Sequence, residues 1–142
     1  MISVADALKR KNLLPVTVAP GTSVLDALQL MMDKNIGSLV VTNGSLYLGV
    51  FTERDYSRKV ILCGKSSEFT LVEEIMSQNI PAISITDTIE LCMQLMSQHN
   101  VRYLPVLEDK KLIGIISMSD VVRETISAQQ ETIDLLQHYI QS

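Results

Sequence analysis

Leu48-Gly-Val-Phe-Thr-Glu-Arg-Asp55 returns 65 positions later as Ile113-Gly-Ile-Ile-Ser-Met-Ser-Asp120, without a gap. The same shift lays Ile36-Gly-Ser-Leu-Val-Val41 on Val101-Arg-Tyr-Leu-Pro-Val106, so a glycine, a hydroxyl residue and an aspartate recur in one register. A small unit present twice cannot enclose a core alone and must dock on its copy, so the chain reads as two half-modules. On the N-terminal side, Val4-Ala-Asp-Ala-Leu8 meets Val72-Glu-Glu-Ile-Met76 with a shift of 68, because the first copy has three extra residues near Leu13.

Each copy predicts the same run of elements: helix, strand, helix, strand, strand, helix. The first helix is capped by Ser3 with Asp6 in one copy and by Thr70 with Glu73 in the other. Brief extended segments follow around Val16-Thr-Val18 and Ala82-Ile-Ser84. Helical periodicity then appears at Val24, Leu25, Leu28, Met31 and Met32, and again at Ile89, Cys92, Met93 and Met96. Strands Ser38–Thr42 and Leu46–Phe51 join across Asn43-Gly44, a strong hairpin signal, and Tyr103–Leu107 and Leu112–Ile116 join across Asp109-Lys110. A last helix starts at Thr52 or at Ser117.

The chain has 142 residues, 46% of them apolar, with 12 Lys+Arg against 16 Asp+Glu, which suits compact folding and excludes a disordered tail protein. No run approaches the roughly 18 apolar residues of a membrane span, and Met1-Ile-Ser-Val-Ala-Asp6 lacks the layout of a signal peptide, so the expected location is cytoplasmic, with no membrane partner. Cys63 and Cys92 stand apart on apolar segments, with no spacing that suits a disulfide framework or a metal. The net charge of −4 argues against a nucleic-acid partner. Its distribution is uneven: residues 1–70 carry +2 and residues 71–142 carry −6. The clusters Lys9-Arg10-Lys11 and Arg54/Arg58/Lys59 suffice for one or two phosphates.

The element order and the paired motifs Ile36-Gly-Ser-Leu-Val-Val41, Val101-Arg-Tyr-Leu-Pro-Val106, Gly49-Val-Phe-Thr-Glu-Arg-Asp55 and Gly114-Ile-Ile-Ser-Met-Ser-Asp120 resemble a tandem CBS-domain pair, or Bateman module, over essentially the whole chain. Thr52-Glu-Arg-Asp-Tyr-Ser-Arg-Lys59 is most similar to stand-alone CBS pairs of bacteria and plants. The resemblance implies an α+β (α/β) fold of two half-modules, each a small sheet with flanking helices, about a pseudo-two-fold axis. The expected segments are 1–67, 68–125 and a long C-terminal helical extension over 126–142. It also implies two clefts that often hold adenosine nucleotides.

The residues themselves allow that chemistry. Thr52-x-x-Asp55 and Ser117-x-x-Asp120 are capping boxes, and helix capping is one reading of them. Both also follow an apolar strand that delivers a helix N-terminus to a cleft. There, amides and a hydroxyl suit a phosphate, and a carboxylate one turn on accepts two hydrogen bonds from a ribose diol. The resemblance assigns Asp55 and Asp120 to ribose and Thr52 and Ser117 to phosphate. It puts the base of the first cleft near Val16, Thr17, Ile36, Gly37 and Ser38, and that of the second near Ile80, Pro81, Ala82, Val101, Arg102 and Tyr103. For each of these, core packing is the competing reading. Gly37 permits close approach, and Tyr103 can stack on a base. Arg54 and Arg58 add charge beside Thr52 that the second copy lacks, apart from Arg102. The expectation is therefore ATP or a dinucleotide such as NAD in the first cleft and AMP in the second.

Enzymatic motifs find little support: Gly64-Lys65-Ser66 lacks the earlier glycine of a P-loop, no Gly-x-Gly-x-x-Gly occurs, and His99 and His138 stand singly. The expected function is regulatory, sensing AMP, ADP, ATP or NAD for an enzyme or transporter, with a dimeric adaptor that binds no nucleotide as the alternative. Val122, Ile126, Ile133, Leu136 and Ile140 form a heptad stripe broken by Gln129. It fits either a homodimer contact or a helix folded back over the first half-module, and the resemblance implies the homodimer, since CBS pairs commonly associate two-fold.

Overall fold

Two hairpins of near-identical construction organise the chain, seen here in a computed structural model that describes residues 1–141. Strand β2 (Ser38–Asn43) pairs antiparallel with β3 (Leu46–Thr52), and β4 (Tyr103–Glu108) with β5 (Lys111–Ser117). The first turn lies one residue beyond the expected Asn43-Gly44: Asn43 still pairs with Leu46, and Gly44 takes the first corner at φ +63°. In the second hairpin both corner residues, Asp109 and Lys110, have positive φ (50° and 67°), the hand that matches strand twist. Strand β1 (Thr17–Val18) adds in parallel to β2, and an isolated bridge between Ile83 and Val106 repeats that pairing in the second copy. The hairpins meet at Leu46 and Lys111, giving one sheet of order β1-β2-β3-β5-β4.

Helices α1 (Val4–Lys11), α2 (Val24–Lys34) and α5 (Ile89–His99) start at Ser3, Ser23 and Thr88, whose side chains accept from Asp6, Asp26 and Leu91 amides. All three stop at a left-handed asparagine, Asn12, Asn35 or Asn100. The expected cap of α4 (Val72–Ile75) at Thr70 with Glu73 is displaced by one residue: the Leu71 amide donates to Glu74 Oε2 at 2.7 Å. Thr70 is instead buried, its carbonyl accepting from the Val24 amide at 2.8 Å. Past β3, α3 (Glu53–Asp55) passes at once into a π-helical turn, Tyr56–Ile61.

The opening helices are exchanged. Val4 and Ala7 of α1 are buried in the second core with Ile83, Ile89, Met96, Leu104 and Ile116, whereas Val72 and Ile75 of α4 complete the first core with Val24, Leu39, Phe51 and Val60. Val4 and Val72 donate backbone hydrogen bonds to Asp87 and Thr22 carbonyls, both at equivalent points of the two copies. Sequence repeats 1–67 and 68–125 are thus not the packing units, because each lends its first helix to the other.

Helix α6 (Met118–Gln141) is one continuous element, packed on α5, α1 and β5. The extension expected over 126–142 is, through Gln141, its outer part, and Ser142 lies outside the described residues. Of the first repeat it meets α1, the helix lent to the second core, where Arg10 pairs with Glu124 at 2.8 Å. Residues 131–140 are exposed. Among the described residues no helix is long and apolar enough to cross a membrane.

Candidate functional site

At the end of β3, Thr52 closes a reciprocal box with Asp55: the Asp55 amide donates to Thr52 Oγ1 at 3.1 Å, and the Thr52 amide and hydroxyl donate to Asp55 Oδ2 at 3.0 and 3.1 Å. The other oxygen, Oδ1, accepts from Ser77 Oγ at 2.7 Å and pairs with Lys59 Nζ at 3.0 Å. Ser117 and Asp120 repeat the arrangement at the start of α6, with the Ser117 amide on Asp120 Oδ2 at 2.8 Å. Lys11 of the exchanged helix α1 also donates to Oδ2 at 2.8 Å, and Arg123 to Oδ1 at 3.0 Å. Burial works against the charged form of Asp120, yet the Lys11, Ser117 and Arg123 hydrogen bonds prevail and hold its carboxyl below the ordinary carboxylate value.

Both aspartates are buried and partnered within the chain. The capping reading is therefore structural fact in both copies. The amides of Glu53 and Met118 are likewise taken, by the carbonyls of Gly37 and Arg102.

Two cavities flank Tyr103. The larger, of about 890 Å3, is lined by Lys11, Leu13, Leu14, Pro15, Val16, Lys34, Ile36, Ser38, Val40, Ile115, Ser117, Met118 and Ser119. The smaller, of about 200 Å3, is lined by Thr52, Glu53, Arg54, Asp55, Ser77, Ile80 and Val101. Gly37, Arg102 and Tyr103 line both, and a Cβ built on Gly37 would stand 2.8 Å from the Tyr103 hydroxyl. Three cationic residues, Lys11, Lys34 and Arg102, line the larger cavity, and among the described residues no carboxylate does.

Residues 3–61 and 72–127 match the CBS-domain family. The chain belongs to that family. It is 39% identical over 124 residues to the mitochondrial CBS domain-containing protein CBSX3 of Arabidopsis thaliana, covering 84% of this chain and 60% of that one. The solved CBS-domain structure NE2398 superposes with a TM-score of 0.84 at 40% identity, covering 89% of this chain and 99% of that one. The CBS pair of MJ0100, solved with 5′-methylthioadenosine and S-adenosyl-L-methionine, shares the fold at a TM-score of 0.78 and 23% identity, over 90% of this chain and 98% of that one. The chain is thus a CBS-domain pair, a regulatory module.

In this CBS pair the expected clefts cross over. Val16, Ile36 and Ser38, assigned to the base beside Thr52 and Asp55, line the cavity that Ser117 closes; Ile80 and Val101, assigned beside Ser117, meet Thr52 and Asp55 instead, while Tyr103 faces both cavities. The cause is geometric: the end of each hairpin faces the other half-module across the pseudo-two-fold axis. Thr17 and Ala82 are exposed, Pro81 is half-buried, and none of them lines either cavity. Arg58 is exposed and away from both, and Arg54 Nη1 is spent on the Asn100 carbonyl at 2.6 Å. Of the charge expected beside Thr52, Arg54 does line that cavity, together with Arg102, and only Arg58 lies elsewhere, while the greater volume lies on the Ser117 side. Sequence reading missed Lys34, Leu14 and Met118, and noticed Lys11 only as part of a basic run. The three-residue excess near Leu13 was the available signal, since it lengthens α1 to eight residues against four in α4.

Proposed function

We propose that this CBS pair binds an adenosine nucleotide in the larger cavity and transmits its occupancy to a partner enzyme or transporter, itself catalysing nothing. The observation that carries this reading is the cavity of about 890 Å3 with Lys34 and Arg102 on its walls and, beside them, Lys11, whose partner Asp120 lies behind the lining. Its volume falls within the roughly 300–1,000 Å3 of small-molecule sites. Val16, Ile36, Val40, Ile115 and Met118 offer apolar walls to a purine, Tyr103 a ring to stack on it, and the three cations suit two or three phosphates. The adenosine compounds held by MJ0100 support the ligand class. The smaller cavity, of about 200 Å3 and lined by Glu53 and Asp55 as well as Arg54 and Arg102, has less room for a nucleotide, so one nucleotide per chain is expected.

Thermal unfolding with AMP, ADP, ATP, NAD, S-adenosylmethionine and methylthioadenosine tests the reading. A ligand at about 100 times its Kd adds roughly 2.7 kcal/mol, several degrees in midpoint. Unmoved melting curves with all six, at millimolar concentration, overturn it. The exposed apolar face of α6 favours a second role alongside the first, association into a homodimer, and it is this face that would serve an adaptor without nucleotide.

A further inference from the structure

We propose that Lys11 sets the ligand preference of the larger cavity: it closes Asp120 against uncharged adenosine compounds and opens it to phosphorylated ones. The inference rests on the nucleotide reading of that cavity and adds which member of the class it takes.

The two copies differ where their opening helices end. After α4 comes Ser77, a neutral hydroxyl that donates to Asp55 at 2.7 Å. After the same stretch of α1 the first copy continues for another turn, which carries Arg10 and Lys11. Lys11 Nζ reaches Asp120 Oδ2, the oxygen that also accepts from the Ser117 amide, at 2.8 Å and the Ile115 carbonyl at 3.1 Å. The ammonium on Asp55, that of Lys59, stands instead on the other oxygen, Oδ1, and leaves the capping oxygen to Thr52. Lys11 lines the cavity, whereas Asp120, with its side chain 5% exposed, lies behind it. Arg10 grips Glu124 through Nε and Nη2 at 2.8 to 3.0 Å. Arg10 thereby ties the end of α1 to α6, and Lys11 is the member of its ion pair that lines the cavity.

A ribose diol needs the carboxylate oxygen that Lys11 covers. An uncharged nucleoside brings nothing to compensate the ammonium for leaving Asp120, so the acceptor stays closed to it. A di- or triphosphate brings a stronger anion to the same wall, where Lys34 and Arg102 already face the cavity, and the charge-assisted bond moves from carboxylate to phosphate. Oδ2 then keeps the Ser117 amide at 2.8 Å and has its second lone pair open to a hydroxyl of the diol. Lys11 thus couples recognition of the two ends of one nucleotide.

The test is calorimetric titration of the full chain with adenosine, AMP and ATP at fixed ionic strength, comparing wild type, Lys11→Met and Arg10→Met. Removing the ammonium uncovers Asp120 and deletes a phosphate contact. Lys11→Met is therefore expected to bind adenosine more tightly and ATP more weakly, shrinking the ATP-to-adenosine affinity ratio by about tenfold or more. Arg10→Met is expected to keep the wild-type ratio. Should Lys11→Met fold poorly, Lys11→Gln, which keeps a hydrogen-bond donor without the charge, carries the same expectation. A uniform loss for all three ligands, or adenosine binding that does not improve, overturns the role of Lys11 while leaving the nucleotide site standing. Absence of binding by every ligand to wild type overturns both.

Discussion

Gly49 and Gly114, the recurring glycines of the two repeats, are explained by what is packed on them. A Cβ on Gly114 would stand 2.8 and 2.9 Å from the two methyls of Leu8, and one on Gly49 would stand 2.9 Å from both Met76 Sδ and the Ser77 carbonyl oxygen. Leu8 and Met76 are equivalent residues of the exchanged segments, so each glycine marks where the other repeat's opening segment crosses a strand. A leucine side chain can give way, but the Ser77 backbone is held to Val50 by hydrogen bonds of 2.8 and 3.0 Å. Gly49→Ala should therefore lie at or above the top of the roughly 1–3 kcal/mol of overpacking, and Gly114→Ala near the bottom, in urea unfolding. The reverse order would deny the backbone contact its role. At Asp120 the folded carboxyl is held below its unfolded value, so its contribution is present above about pH 4 and lost as pH falls through the folded value. Asp120→Asn is expected to cost roughly 1.5–3 kcal/mol at pH 7, with the gap to wild type narrowing toward pH 2. A gap that stays constant with pH would assign the loss to packing. The hydroxyl-x-x-Asp pairs were legible in the sequence because local spacing fixes a capping box. The partners Lys59 and Arg123 lie within one turn of their aspartates, but that Lys11 also holds Asp120 was not legible, since the two meet across 109 residues.

The exchange of α1 and α4 decides how the elements hold together. Both copies place a short amphipathic helix first, and the shift of 68 showed that the helices correspond. Spacing alone is silent on which core receives each of them, because an apolar face of two buried residues fits either. The structure answers through paired contacts: Ser3 bridges Thr88, and Ser23 bridges Leu71, at equivalent places. The crossing of the two clefts was equally out of reach, being a property of the axis and not of any local pattern. It follows that neither repeat encloses a core from its own residues. Residues 1–67 and 68–142, expressed apart, are expected to show little cooperative unfolding by circular dichroism, and to regain helix and a single transition when mixed. A cooperative melt from either fragment alone would show that the exchanged helix is dispensable. In the intact chain one transition is expected, since both cores fail together when either helix leaves.

At the scale of the whole molecule the unbalanced feature is α6. Ile126, Ile133, Leu136 and Ile140 are 60%, 47%, 57% and 79% exposed, although their spacing follows a heptad and their helix is continuous. The heptad was legible in the sequence. What covers it was left open between a second chain and the first half-module, and the helix instead runs along α5, where Ile133 only edges a groove shared with Ile2, Ile89 and Met93. Isoleucine at one heptad position and leucine at the other is the composition of a two-stranded seam. The charged neighbours Glu131 and Asp134 lie off that stripe, so two copies can approach without repulsion along it. A fully buried side chain of this size contributes roughly 1.5–3 kcal/mol, and about half remains to be gained at each of these half-exposed positions, on both chains of a dimer. Wild type is therefore expected to be a dimer by light scattering, and Ile133→Glu with Leu136→Glu a folded monomer, because the side chains removed contribute little to the chain's own core. If the double variant stays dimeric with unchanged melting, the dimer forms elsewhere and the stripe serves some other purpose. If it unfolds, the outer turns of α6 support the second core more than their exposure implies.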